Sequence, residues 1–150
     1  MRLLPLTPIY HLSLAQIQQE LGDYPAAEAQ LATAERLSPK DPLIWQAQAD
    51  LFLAWGEVEP ARLDQAAALA RRLVDYAPSL GTHHTRLGVV LARQGDLSHA
   101  ALALETAADL DRTDVAAFSD LAILYQALDR PSDADLARQI AEILNETYTH

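Results

Sequence analysis

The stretch that decides the fold is residues 81–110, GTHHTRLGVVLARQGDLSHAALALETAADL. Its apolar residues, among them Leu87, Leu91 and Leu104, recur at three- and four-residue spacing, which is typical of one face of an amphipathic α-helix. Gly95-Asp96 interrupts the pattern, because glycine can adopt the left-handed conformation that ends a helix and aspartate can cap the next one. The stretch therefore predicts two amphipathic helices joined by a tight turn.

The same kind of turn occurs at two other places in the chain. Gly22-Asp23 precedes the pair Ala26-Ala27 just as Gly95-Asp96 precedes Ala100-Ala101, and Gly56-Glu57 marks a third turn. We expect all three glycines to adopt the left-handed conformation. The chain is therefore built from a repeated unit.

These turns and the apolar spacing divide the chain into eight predicted helices. Pro25 and Pro42 fall in first turns, where proline costs no hydrogen bond. Val, Ile and Thr never alternate over the length of a strand, so we expect no sheet. The predicted N-caps are Asp41, Asp96, Asp114 and Ser132. The predicted helices lie near residues 8–21 with 24–37, 42–55 with 61–77, 80–94 with 97–110, and 114–128 with 132–147.

In this arrangement the chain resembles the tetratricopeptide repeat (TPR), a helix–turn–helix unit of about 34 residues. Four units match the repeat in register. The residues that match in the first two units are Leu14-Ala15, Tyr24, Ala27, Leu31, Ala34 and Pro39, and then Trp45, Ala49, Phe52, Ala66, Ala70 and Pro78. Those that match in the last two units are Leu87-Gly88, Leu91, Ala100, Leu104 and Ala107, and then Phe118, Leu121-Ala122, Tyr125, Ala134 and Ala141. The departures are Gln48, Arg112, Arg138, the turn Asp129-Arg130-Pro131, and an insertion from Val58 to Leu63.

The resemblance implies an all-α fold, a right-handed α-solenoid of about eight helices stacked as antiparallel pairs. It covers residues 8–147, which we expect to form a single TPR-like domain with units near 8–41, 42–80, 81–114 and 115–147. Residues 1–7 would then be an N-terminal extension and residues 148–150 a tail. Trp45 and Trp55 are expected in the core or at a junction between helices rather than as ligand platforms. The insertion is either a tolerated surface loop or a lip for a ligand.

The resemblance also implies a concave groove, lined by the first helix of each pair, that receives an extended peptide or a helix. Family members that grip the carboxy-terminus of chaperones have a Lys and an Asn where this chain has Leu12 and Gln16, so that carboxylate clamp is missing. The mixed lining favours a segment with apolar anchors and one basic side chain. The predicted groove residues are Ile9, Leu12, Gln16, Gln19, Leu43, Gln46, Asp50, Leu53, Thr82, Thr85, Arg86, Val89, Arg93, Ala116, Ser119, Ile123 and Gln126, with Asp120 beside them.

The composition argues against other functions. The formal net charge of −10 predicts no nucleic-acid partner, because an acidic surface repels phosphate. The chain has no Cys and no apolar run long enough to span a bilayer, so we expect no thiolate chemistry and no direct membrane insertion. His83-His84 are expected to be exposed or in a loop, and the acidic residues Asp109, Asp111 and Asp114 to be solvated, rather than metal ligands.

We therefore predict a non-catalytic scaffold for protein–protein interaction, without catalytic residues, metals or cofactors. The alternative is a soluble structural repeat tail of a larger assembly. Such tails occur in some bacterial membrane proteins of the surface-polysaccharide ligase type, which the chain resembles loosely. Self-association is compatible with both functions. The compartment stays open: cytoplasmic if the chain is complete, extracytoplasmic if it is excised from a membrane protein.

Overall fold

The computed structural model describes residues 7–149, and all regular structure within that range is helical. The eight predicted helices are confirmed. A 3-10 turn, Pro60–Arg62, lies in the insertion between the third and fourth helices. The helices are α1 (Pro8–Glu20), α2 (Tyr24–Leu37), α3 (Pro42–Gly56), α4 (Leu63–Tyr76), α5 (Gly81–Arg93), α6 (Leu97–Leu110), α7 (Val115–Ala127) and α8 (Pro131–Tyr148).

The chain divides into two compact units, the first ending at Leu69 and the second beginning at Ala70, inside α4. In the first unit α1 packs against α2, and α3 packs against both. In the second unit α5 pairs with α6, α7 pairs with α8, and α6 contacts α7. The single TPR-like domain over residues 8–147 stays a prediction. Residues 1–6 of the expected extension and residue 150 of the expected tail lie outside the described range.

The three glycines expected to be left-handed behave differently from one another. Gly22 (φ 78°) and Gly95 (φ 85°) adopt that conformation, and Asp129 (φ 56°) adopts it in the turn that has no glycine. The prediction is wrong for Gly56, which is the last residue of α3 and has no positive φ. A Cβ at Gly56 would touch Cδ2 of Leu63 and lie 2.7 Å from its Cγ. A side chain at Gly56 would therefore have to displace the Leu63 side chain at the start of α4.

Carboxylates cap the helix starts at three of the four predicted positions. Asp41, Asp96 and Asp114 each accept a hydrogen bond from a backbone N–H in the first turn of α3, α6 and α7. The prediction that Ser132 caps α8 is wrong, because this helix begins one residue earlier, at Pro131. Ser132 consequently lies inside the first turn.

The core of the second unit is built largely from alanine. Ala100, Ala107, Ala117 and Ala134 have no exposed surface and pack with larger residues such as Leu104. These four alanines come from α6, α7 and α8. Small side chains at these places let neighbouring helices approach closely.

Two polar hydrogen bonds join neighbouring helix pairs. Nε2 of Gln48 in α3 donates to Oε2 of Glu35 in α2 over 2.9 Å. The hydroxyl of Tyr125 in α7 donates to Oε1 of Glu105 in α6 over 2.7 Å. The first bond explains why Gln48 can replace the apolar residue usual in the resemblance.

The insertion folds back onto the core of the first unit. The guanidinium carbon of Arg62 lies 3.9 Å from the ring centroid of Trp55, a cation–π contact. Trp55 also stacks with Tyr24 and Phe52, with centroids 5.7 Å and 6.3 Å away. Trp45 and Trp55 are both buried, as predicted. The end of the insertion is therefore anchored to the first unit, whereas Val58 at its start is exposed.

Replacing Leu104 by Ala should lower the free energy of unfolding by about 2–5 kcal/mol, because truncating a buried leucine loses apolar burial and leaves a cavity. Leu104 is 1% exposed, whereas Leu102 on the same helix is 58% exposed. The matched variant Leu102→Ala should change the free energy by about 0.5 kcal/mol or less. Urea unfolding of the natural chain and the two variants measures the free energies of unfolding. Equal losses in Leu104→Ala and Leu102→Ala would contradict this packing.

Candidate functional site

The predicted groove residues all keep some exposed surface. They lie on α1 and α3 in the first unit and on α5 and α7 in the second. Ile9 and Ile123 stand out, with 72% and 69% of their surface exposed. Leu12 instead packs against the core cluster of the first unit. Exposed isoleucines of this kind are candidates for contact with another molecule.

A hollow of about 420 Å³, here named the first hollow, lies in the first unit between α1 and α3. Leu31 of α2 and Ala47 of α3 contribute to its lining. Five predicted groove residues line it together: Ile9, Leu12, Gln16, Gln19 and Asp50. The predicted residues Leu43, Gln46 and Leu53 lie on α3 but do not line this hollow.

A second hollow of about 220 Å³ lies in the second unit between α5 and α7. Its lining includes Leu104 of α6, the counterpart of Leu31 in the repeat, and the predicted groove residues Val89, Arg93 and Ile123. Ala92, Asp120 and Leu124 complete it. Leu31 and Leu104 were not assigned to the groove from the sequence. Both come from the second helix of a pair and occupy the same large-residue position of the repeat, which is the signal that could have identified them.

Asp120 is the electrostatic feature of the second hollow. Burial raises the pKa of its carboxyl above the ordinary value, Asp114 raises that pKa further, and Arg93 lowers it. Burial disfavours the charged form because the carboxylate loses part of its hydration. A cation brought beside Asp120 would favour the charged form again.

The hydroxyl of the predicted groove residue Thr85 is engaged in contacts within the fold. Its oxygen lies 3.2 Å from Oδ2 of Asp114 and 3.3 Å from the carbonyl oxygen of Gly81. The other carboxylate oxygen of Asp114 accepts from the backbone N–H of Ala117. The Thr85–Asp114 contact therefore ties α5 to the start of α7, so Thr85 is partly occupied within the fold.

A third hollow, of about 560 Å³, lies between α7 and α8. It includes the predicted residues Ser119, Ile123 and Gln126, and it adds residues of α8 that the sequence did not assign to a site: Arg138, Ala141, Glu142 and Asn145. In α6 the positions equivalent to Arg138, Ala141 and Glu142 are Leu104, Ala107 and Ala108, which are buried in the core cluster shared with α7. The third hollow is thus formed by the α8 positions that in α6 are buried against the next helix pair, with Arg138 and Glu142 in place of the apolar Leu104 and Ala108.

The histidine pair does not match its expected exposure. His83 is buried, with 2% of its surface exposed, and burial lowers its pKa, with smaller contributions from Arg86 and His84. Nε2 of His84 lies 2.8 Å from the carbonyl oxygen of Pro78, to which its N–H donates. Between Thr7 and Thr149 no group of three or more His, Asp or Glu side chains could hold a metal ion. No helix in this range is both long and apolar enough to cross a membrane.

Comparison with solved structures decides the type of repeat. The structure of MamA (residues 41 to end) from Desulfovibrio magneticus RS-1 matches with a TM-score of 0.80 and 16% identity, over 97% of this chain and 80% of that chain. TTC0263, a thermophilic TPR protein in Thermus thermophilus, matches with a TM-score of 0.77 and 23% identity, over 97% and 81% of the two chains. This chain has the TPR fold.

The structure of PilF from Pseudomonas aeruginosa gives a TM-score of 0.77 and 19% identity, over 93% of this chain and 61% of that one. No family model and no curated protein matches the sequence. The all-α, TPR-type fold expected from the repeat pattern is confirmed. The first and second hollows are lined mainly by the first helix of each helix pair in this fold.

Replacing Asp120 by Asn should raise the melting temperature near neutral pH. Because the pKa of Asp120 is raised in the folded state, the folded protein holds this proton more tightly than the unfolded chain. Stability is therefore lost as the pH rises from the ordinary pKa of an aspartate through the raised value. Asn removes this loss.

The difference in melting temperature between Asp120→Asn and the natural chain should disappear in acid, where the carboxyl is protonated in both states. Asp109→Asn, at an exposed carboxylate of α6, is the matched control and should change the melting temperature little at either pH. Thermal unfolding followed by circular dichroism gives all three curves. A lower melting temperature for Asp120→Asn at neutral pH would contradict the assignment.

Proposed function

We propose that this chain is a non-catalytic scaffold that binds a protein segment, and that the first and the second hollow are each a binding surface. One observation carries the proposal: residues selected from the repeat register alone meet around shared hollows. Ile9, Gln16 and Asp50 do so in the first unit, and Val89 and Ile123 in the second. The TPR fold supports a role in protein interaction in general.

The chemistry of the second hollow supports one class of partner segment. Val89 offers partly exposed apolar surface above the buried Leu104 and Leu124, and Ile123 adds an exposed side chain beside it. The half-buried carboxyl of Asp120 lies in the same hollow beside Arg93, and a second cation on the segment would favour its charged form further. The bound segment therefore carries a large apolar residue next to a Lys or Arg. The net charge of −10 also favours a basic segment over an acidic one.

The segment has a defined way to bind in this proposal. An amphipathic helix or an extended peptide places every third, fourth or second side chain on one side, and those side chains enter a hollow as anchors. Most of the binding energy would come from a few apolar anchors, with Asp120 providing specificity for the cation.

A second candidate function rests on exposed apolar residues outside the hollows. Leu102 of α6 is 58% exposed, and Leu136 and Ile143 of α8 are 57% and 62% exposed. Such residues would serve a structural repeat segment that packs into a larger assembly by these helix surfaces. The same variants test both candidates.

Replacing Ile123 by Glu should weaken binding of peptides selected on the natural chain by at least about tenfold, the equivalent of 1.4 kcal/mol, because a charge replaces an exposed apolar anchor. The peptides are selected from a random display library, and their affinity is measured by fluorescence anisotropy. We expect the selected sequences to pair a large apolar residue with Lys or Arg.

The matched control is Ile143→Glu, because this isoleucine of α8 has a similar exposure but lies outside the second hollow. It should leave peptide affinity unchanged. The reverse result, with affinity lost in Ile143→Glu and kept in Ile123→Glu, would contradict binding in the second hollow. It would favour contact through the exposed apolar residues of α8.

A further inference from the structure

Helix α1 and its C-cap residue, Leu21, carry a second apolar stripe that does not line the first hollow. The stripe consists of Tyr10, Leu14, Ile17 and Leu21, here named the α1 seam. Tyr10, Ile17 and Leu21 are 51%, 54% and 78% exposed, and Leu14 is half-buried. Successive steps of four, three and four residues keep all four side chains on one helix face.

The register of the repeat shows what this face does elsewhere in the chain. Tyr10 and Ile17 correspond to Ile44 and Leu51 in α3, which have no exposed surface where α3 packs within the first unit. The same positions in α7 are Ala117 and Leu124, which are buried in the core cluster with α6. The α1 seam is therefore a helix-packing surface by its position in the repeat, and in α1 it is exposed.

We propose that two copies of this chain associate through the α1 seam, with the two α1 helices antiparallel around a twofold axis. The spacing is self-complementary under that symmetry. With the axis between Ala15 and Gln16, Tyr10 meets Leu21 of the second copy, and Leu14 meets Ile17 of the second copy. Each contact then occurs twice, as an isologous interface requires. The steps of four and three residues are those of a coiled-coil seam, and antiparallel helices pair its two kinds of position with each other.

Charge also favours a second copy at this face. Glu20 is the only Asp, Glu, Lys or Arg residue in α1, although such residues make up 21% of the chain. It lines the first hollow and lies about 90° around the helix from the middle of the seam. Two chains of net charge −10 repel each other over most of their surface, and the α1 seam is a place where they can approach without bringing carboxylates together.

The size of the seam sets the expected strength of the dimer. Four residues per chain cover less than the roughly 800 Å² per partner that a standard stable interface buries. The dimer is therefore weak and concentration-dependent. Added salt should tighten it, because salt screens the repulsion between the two acidic chains while the apolar contact remains.

Sedimentation equilibrium over a range of protein concentrations tests the seam. We expect the natural chain to pass from monomer to dimer with rising concentration, at lower concentration in high salt. Ile17→Glu should stay monomeric, because the symmetric contact brings two new carboxylates into the interface. Ile9→Glu, a change on the same helix but within the first hollow, should dimerise like the natural chain. Circular dichroism checks that all three chains are folded.

Cysteine cross-linking tests the orientation, and the absence of native Cys makes it unambiguous. Chains carrying Leu14→Cys and chains carrying Ile17→Cys should form a disulfide dimer when mixed under mild oxidation, and little when each is kept alone. Self-linking of each variant at the same rate as in the mixture would show parallel helices and overturn the arrangement. A natural chain that stays monomeric at all concentrations and salt levels, or dimerisation that survives Ile17→Glu, would overturn the seam itself.

Discussion

Close approach of helices at positions without a side chain is the constraint on which the second unit depends. A Cβ at Gly88 in α5 would lie 2.6 Å from Cγ of Leu104 and 3.1 Å from the carbonyl oxygen of Ala100 in α6. Leu104 and Ala100 are both buried, so neither can move aside without opening the core. The spacing of α5 and α6 therefore leaves room for glycine alone. Leu104 is at the same time part of the lining of the second hollow, so the packing that holds the helices together also shapes the candidate binding surface.

This coupling explains how an alanine-rich core can support a surface with definite chemistry. Small residues such as Ala107 and Ala117 bring the backbones together, and the large residues are left for a few core positions and for the hollows. A hydrogen bond from the hydroxyl of Tyr125 to the carboxylate of Glu105 also joins α7 to α6. Asp120 remains half-buried beside apolar side chains, where its carboxyl has a raised pKa. A cation on a bound segment would relieve that penalty.

Much of the fold followed from the sequence, because turns, caps and apolar spacing are local signals. The helices and the carboxylate caps at Asp41, Asp96 and Asp114 are of this kind. Features set by neighbours along another helix did not follow. Gly56 lies against the Leu63 side chain and does not form a left-handed turn, and His83 is buried although its neighbours in sequence are polar. The hollows show the same division: the repeat register predicted their first-helix residues, whereas the contributions of the second helices depend on how each pair packs.

The central claim is that a protein segment binds in the hollows lined by the first helices. Its most direct test is NMR mapping of backbone amide chemical shifts in the isotope-labelled chain during titration with a display-selected peptide. We predict that the shifts concentrate on α1, α5 and α7, around Ile9, Val89 and Ile123, and that they saturate with the measured affinity. Shifts confined to α8 around Leu136 and Ile143, with those first-helix residues unchanged, would contradict binding in the hollows.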